Sequence, residues 1–138
     1  MAKVYAARAS DFLGINLNDL IAHQTSFDFY NDIHGSLHSQ TYEDLLRIGF
    51  NAGVDSYAWF GGTGFAFNAG HTAMTAGTVN AYEQQVLSGD SYVTSWGIEG
   101  FSYSGVTMYN AAITPGTTDD YAVLASILAG ADTFDLSS

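Results

Sequence analysis

The chain has 138 residues, a size that suits one domain with a core of its own. Hydrophobic residues make up 47% and mean hydropathy is +0.07, which excludes a disordered chain, and no apolar run is long enough to cross a bilayer. Only 3 Lys+Arg stand against 14 Asp+Glu, a formal net charge of −11, so a phosphate backbone or an anionic lipid surface is repelled; neither nucleic-acid binding nor membrane insertion is expected.

All the cations, Lys3, Arg8 and Arg47, lie within the first 47 residues. The aromatic set of 9 Tyr, 9 Phe and 2 Trp suits a β-rich protein and an interface. With 0 Cys, disulfides, thiolate metal sites and cysteine nucleophiles are excluded. The opening MAKVYAARAS lacks the apolar core of a cleaved signal peptide, which leaves a cytoplasmic protein, export by another route, or a trimmed chain.

In chain order, residues 3–8 read as a short strand. Ser10-Asp11 reads as an N-cap, and the spacing of Leu17, Leu20 and Ile21 predicts a helix over 16–23. Residues 25–30 (TSFDFY) alternate as a strand, and 31–39 (NDIHGSLHS) read as a loop. Residues 41–50 (TYEDLLRIGF) carry both helical and strand signals; the turn Asn51-Ala52-Gly53 favours strand. A strand follows over 55–60, and Gly61-Gly62-Thr63-Gly64 bends it. Phe65 and Phe67 share the parity of Tyr57 and Trp59, which predicts one continuous aromatic face. After a turn at 68–71, strands over 77–87 and 91–103 flank Ser88-Gly89-Asp90, with a bulge expected near 97–100. Residues 106–113 read as a short helix or a further strand. Beyond Pro115-Gly116, Thr117 or Thr118 caps a helix with Asp119 and Asp120 in its first turn. Its expected buried stripe is Tyr121, Leu124, Ala125 and Leu128, and Gly130 ends it.

There is no linker and no repeat, so residues 1–138 read as a single domain, with 1–10 as an N-terminal extension. The expected class is α+β, an antiparallel, mostly hairpin-connected sheet of about five or six strands with two or three short helices on one face.

The segments Gly64-Phe65-Ala66-Phe67, Ala76-Gly77-Thr78-Val79-Asn80, Gly100-Phe101-Ser102-Tyr103 and residues 124–132 resemble a module found upstream of the repeats-in-toxin (hemolysin-type) calcium-binding repeats of bacterial type I-secreted proteins. The likeness covers the C-terminal half to two-thirds. Gly130-Ala131-Asp132-Thr133-Phe134 also resembles half of a calcium-binding nonapeptide, so residues 130–138 look like the start of a repeat. The resemblance implies a secreted, extracellular protein and makes Asp132 the candidate ligand for calcium. The bland reading of Asp132 is a turn after the helix. The chain also bears a weaker likeness to haem-scavenging hemophores, acidic cysteine-free α+β proteins that hold haem iron with a His and a Tyr. Here the candidates are His34 or His38 with Tyr57, although both histidines read first as exposed loop residues.

The residues show no catalytic set. There is no Gly-x-Ser-x-Gly elbow, and Gly61-Gly62-Thr63-Gly64 lacks the Lys of a phosphate loop. His34 and His38 have i, i+4 spacing without a third zinc ligand, and His23 and His71 read as structural or exposed. Asp55, Glu83, Asp90 and Glu99 are the carboxylates available for glycoside hydrolysis. Glu83 and Glu99 fall on adjacent strands, where an exposed acidic pair is the simpler reading. Long strands without lysine gatekeepers leave the sheet edges open, and the N-terminal segment 1–8 is a strand that a neighbour's edge would accept. The expectation is a non-enzymatic, secreted structural or interaction module that self-assembles through sheet edges as a homo-oligomer. It requires no cofactor, with calcium as an optional ligand. The alternative is a small haem-binding protein.

Overall fold

Alternation of large apolar with small or polar residues, sustained over most of the chain, commits it to strands whose two faces differ. The computed structural model describes residues 2–6, 16–129 and 133–135. These form β1 (Lys3–Ala6), α1 (Asn18–Ala22), β2 (Gln24–Tyr30), β3 (Gly35–Leu37), β4 (Gln40–Tyr42), β5 (Asp44–Asn51), β6 (Asp55–Phe67), β7 (Met74–Ser88), β8 (Ser91–Ser104), α2 (Gly105–Ile113), α3 (Thr118–Leu128) and β9 (Thr133–Asp135).

The main sheet has the order β2-β5-β6-β7-β8-β1-β9. Every neighbouring pair is antiparallel except β1 and β9, which run parallel. Short turns join β5, β6, β7 and β8, so the centre of the sheet is hairpin-connected as the sequence predicts. The class is α+β. A second, two-stranded sheet pairs β3 with β4.

The helices cover one face. Leu46 and Ile48 of β5, Ala58 and Phe60 of β6, and Ile98 of β8 meet Leu20 of α1, Met108 and Ala112 of α2, and Val123 and Ile127 of α3 in one buried cluster. On the opposite, outer face the β3–β4 hairpin folds back. Leu37 and Tyr42 pack there on Leu45 and Ala81. Asp44 fixes the entry to this arrangement. Its carboxylate, 1% exposed, accepts 2.8 Å hydrogen bonds from the backbone N–H groups of Asp32 and Phe65.

Several expectations need correction. Residues 35–37, expected as loop, form β3. Phe65 does not continue the face of Tyr57 and Trp59: between Thr63 and Ala66 β6 takes one residue more than β7, which inverts the parity. Phe60 and Phe65 therefore both enter the helix-side core, while Trp59 packs on the outer face. The bulge expected in β8 is centred on Gly100, with φ 79. The buried residues of α3 are Asp120, Val123 and Ile127, with Leu124 and Leu128 partly buried beside them. Tyr121 is 43% exposed. The helix is thus turned from the expected stripe, because the Asp120 carboxylate accepts a 3.0 Å bond from the Leu17 N–H across the core. Lys3–Ala6 is no loose arm: it lies within the sheet, between β8 and β9. Asp132 lies outside the described residues.

Candidate functional site

Cross-strand register writes the outer face as rows. One row runs Asp28, Arg47, Trp59, Glu83, Gly97, Tyr5, and the next runs Tyr30, Leu45, Gly61, Ala81, Glu99, Lys3. In each row a glycine lies under a tyrosine. A Cβ on Gly97 would stand 2.3 Å from the Tyr5 hydroxyl oxygen, and one on Gly61 2.5 Å from the Tyr42 ring. The absent side chains let both rings lie close to the sheet.

Lying over Gly97, Tyr5 spans β8 and donates its hydroxyl hydrogen to Glu83 Oε2 at 2.9 Å. Thr94 Oγ1 (2.8 Å) and Gln85 Nε2 (3.0 Å) donate to Glu83 Oε1. Glu83 is 3% exposed and is thus held by three neutral donors, which replace the water it has lost. Above Tyr5, the His38 ring stacks at 3.7 Å and 7°. His38 occupies the turn of the β3–β4 hairpin with φ 54, a conformation that is costly for any residue other than glycine. The stack and the contact of Nδ1 with Glu99 Oε2, 3.1 Å, hold it there. Ser39 Oγ donates to Glu99 Oε1 at 2.7 Å, and Glu99 is 5% exposed. Burial drives the Tyr5 hydroxyl far above the ordinary phenol range, and the negative charges of Glu83 and then Glu99 push it further.

Glu99 also borders a cleft of about 320 Å³ that opens between β1, β4 and the Gly100 bulge. Lys3, Gln40, Tyr42 and Asn80 line it as well. The Tyr42 hydroxyl is buried without a hydrogen-bond partner, and burial together with the Glu99 charge pushes it up to about 12. Glu83 does not line the cleft.

Beyond the hairpin, the uncovered part of the face carries a stack of flat groups. Tyr30 lies against Trp59 at 6.2 Å and 17°. The Arg47 guanidinium sits 5.4 Å from the Trp59 ring centre and 4.6 Å from that of Tyr57, and Tyr57 meets Tyr92 at 4.3 Å. Asp28 holds Arg47 with bonds of 2.9 and 3.2 Å to one oxygen. These groups stand against one another and supply the cover that a second layer would give.

Comparison with known protein families, with curated proteins and with solved structures finds no match.

Of the residues singled out from the sequence, Glu83 and Glu99 do lie on adjacent strands, but they are buried rather than an exposed acidic pair. The β3–β4 hairpin and Tyr5 cover them, and neither cover is visible in the alternation of β7 or β8. Asp55, the first residue of β6, and Asp90, in the β7–β8 turn, are both exposed. His34 is an exposed loop residue 2.8 Å from Asp32, whereas His38 is built into the carboxylate cluster. Among the described residues no ring contact or hydrogen bond joins either histidine to Tyr57. His71 packs on Phe27 at 5.1 Å, and His23 lies 3.8 Å from Asp19. No group of three or more His, Cys, Asp or Glu fit to hold a metal occurs among the described residues, and no helix there is long and apolar enough to cross a membrane. Tyr5, Ser39 and Tyr42 were missed. Tyr5 and Tyr42 lie over Gly97 and Gly61, which sequence reading assigns to a bulge and to backbone bending.

Proposed function

We propose that this protein is a non-enzymatic, secreted interaction module that associates with copies of itself by pairing sheet edges. The observation that carries this reading is β2. Among the described residues this seven-residue strand pairs with β5 on one side and ends the sheet on the other. It contains no Lys and no Pro, the usual devices that block an edge. Its one charge, Asp28, is neutralised by Arg47, so the edge is locally neutral on a molecule of net charge −11. At the far edge β9 has only three residues and offers a shorter template. Antiparallel pairing of two β2 strands would join two sheets around a two-fold axis.

The extracellular setting rests on the acidity and the resemblance to the module upstream of calcium-binding repeats, which also keeps calcium as an optional ligand. A non-catalytic role is supported by the enclosure of Glu83, which does not line the cleft that Glu99 borders.

Sedimentation velocity over a range of protein concentrations, with and without calcium, tests the reading. Association that grows with concentration is expected. The double substitution Gln24→Lys/Thr25→Lys, at two exposed β2 positions, should leave a folded monomer. A wild-type protein that stays monomeric at every concentration and calcium level would refute the proposal.

A further inference from the structure

A second property stands apart from edge pairing, in the cleft beside Glu99. We propose that this cleft binds a neutral polyhydroxylated ligand, a single sugar unit, with the Tyr42 hydroxyl and the Glu99 carboxylate as the pair that recognises one of its hydroxyl groups.

Three independent features lead to it. The first is an unpaired donor. Tyr42 is 9% exposed, its ring lies over Gly61, and its hydroxyl has no partner among the described residues. Native structures keep few buried polar groups unpaired, and those that persist mark a place for a water or a ligand. The second is the carboxylate beside it. Ser39 and His38 each engage one oxygen of Glu99. A carboxylate has about four lone-pair directions, so capacity remains on both oxygens. The third is the bulge. In β8 the register jumps from Glu99 opposite Ala81 to Tyr103 opposite Val79, and Gly100, with φ 79, leaves no side chain in the gap. Bulges next to sites re-aim the backbone in this way. The resulting volume of about 320 Å³ falls at the small end of ligand-sized clefts.

The chemistry selects the ligand class. Tyr42 needs an acceptor and Glu99 needs a donor. An alcohol hydroxyl is both at once. Lys3 also lines the cleft, but it stands opposite Glu99 in the register, so the two charges offset each other there. The charge of the whole molecule still disfavours an anion, and an alkylammonium offers Tyr42 no acceptor. The wall continues with amides that can do either. Asn80 Nδ2 is committed to the Phe101 carbonyl at 2.9 Å, which fixes the orientation of its side chain, and the Gln40 amide lies on the hairpin side. Alternating donors and acceptors on a small, open cleft match a ring of hydroxyl groups better than an apolar ligand.

The test is a backbone amide NMR titration of the full chain with glucose, galactose, mannose and N-acetylglucosamine, with methylammonium and acetate as charged probes. At least one sugar should shift the signals of Gln40, Tyr42, Asn80, Glu99 and Gly100. Tyr42→Phe keeps the ring over Gly61 and should weaken that binding about fivefold to tenfold, the range of one hydrogen bond. Glu99→Gln, checked for an unchanged fold by its spectrum, should weaken it at least tenfold. The proposal is overturned by an absence of sugar-induced shifts, by shifts centred elsewhere, by unchanged binding in Tyr42→Phe, or by methylammonium or acetate occupying the cleft in place of the sugars.

Discussion

Gly97 and Gly61 matter for what lies above them. At Gly97 a methyl group would meet Tyr5, whose hydroxyl is bonded to Glu83 and whose ring is stacked under His38. The ring cannot move aside without releasing both, so Gly97→Ala should cost about 1–3 kcal/mol, the range for overpacking. Chemical denaturation checks the loss, and a change in tyrosine near-ultraviolet circular dichroism would place it at Tyr5. Tyr42→Phe works in the opposite direction. It removes a buried hydroxyl that has no partner while keeping the packed ring, so stability should rise by about 1 kcal/mol. A site that sacrifices stability for binding behaves in this way, and equilibrium unfolding of the two proteins would detect the gain. At this scale the sequence was least legible. Glu83 and Glu99 read as surface charges because nothing in their own strands says that residues 35–42 fold back over them.

Among the elements, the strands were the easiest to read. Alternation and turn residues place β5 to β8, and the Gly89 turn between β7 and β8 falls where the sequence puts it. The helix α2 starts at a true cap, since Ser104 Oγ accepts from the Thr107 N–H at 3.2 Å. Ser104→Ala should lower stability by about 1 kcal/mol, measurable as a shift in the denaturation midpoint. The rotation of α3 was not legible. Its apolar residues are spread widely enough to allow more than one stripe, and the choice is made by Asp120 reaching Leu17. Burial pushes the Asp120 carboxyl up to about 6; the Leu17 N–H opposes this, while Asp119 and Asp19 add to it. The folded state therefore binds more protons than the unfolded chain between the ordinary carboxylate value and about 6. Stability from this group is highest at the acidic end of that window and falls as pH rises through it. Asp120→Asn should flatten that part of the profile and raise stability near neutral pH. Thermal unfolding of both proteins from roughly pH 4 to pH 7 tests it, through the difference between the two curves.

For the whole molecule, charge opposes the proposed edge pairing. A net charge of −11 repels other copies, and the proposed pairing of β2 edges would have to overcome that repulsion. Salt screens the repulsion over about 8 Å at physiological strength and leaves backbone pairing nearly untouched, so association should strengthen with ionic strength. Light scattering across a salt series would reveal the trend, and weaker association at high salt would contradict it. Composition and periodicity alone determined the class, the hairpin core of the sheet and the exclusion of thiol chemistry. These are local or summed properties, and the chain states them directly. The tertiary structure decided which faces met. It inserted Lys3–Ala6 between β8 and β9, inverted the parity of β6 at its bulge, and laid a hairpin over two carboxylates. Each outcome turns on contacts between residues many positions apart, such as Tyr5 with Glu83, whose separation no local pattern encodes.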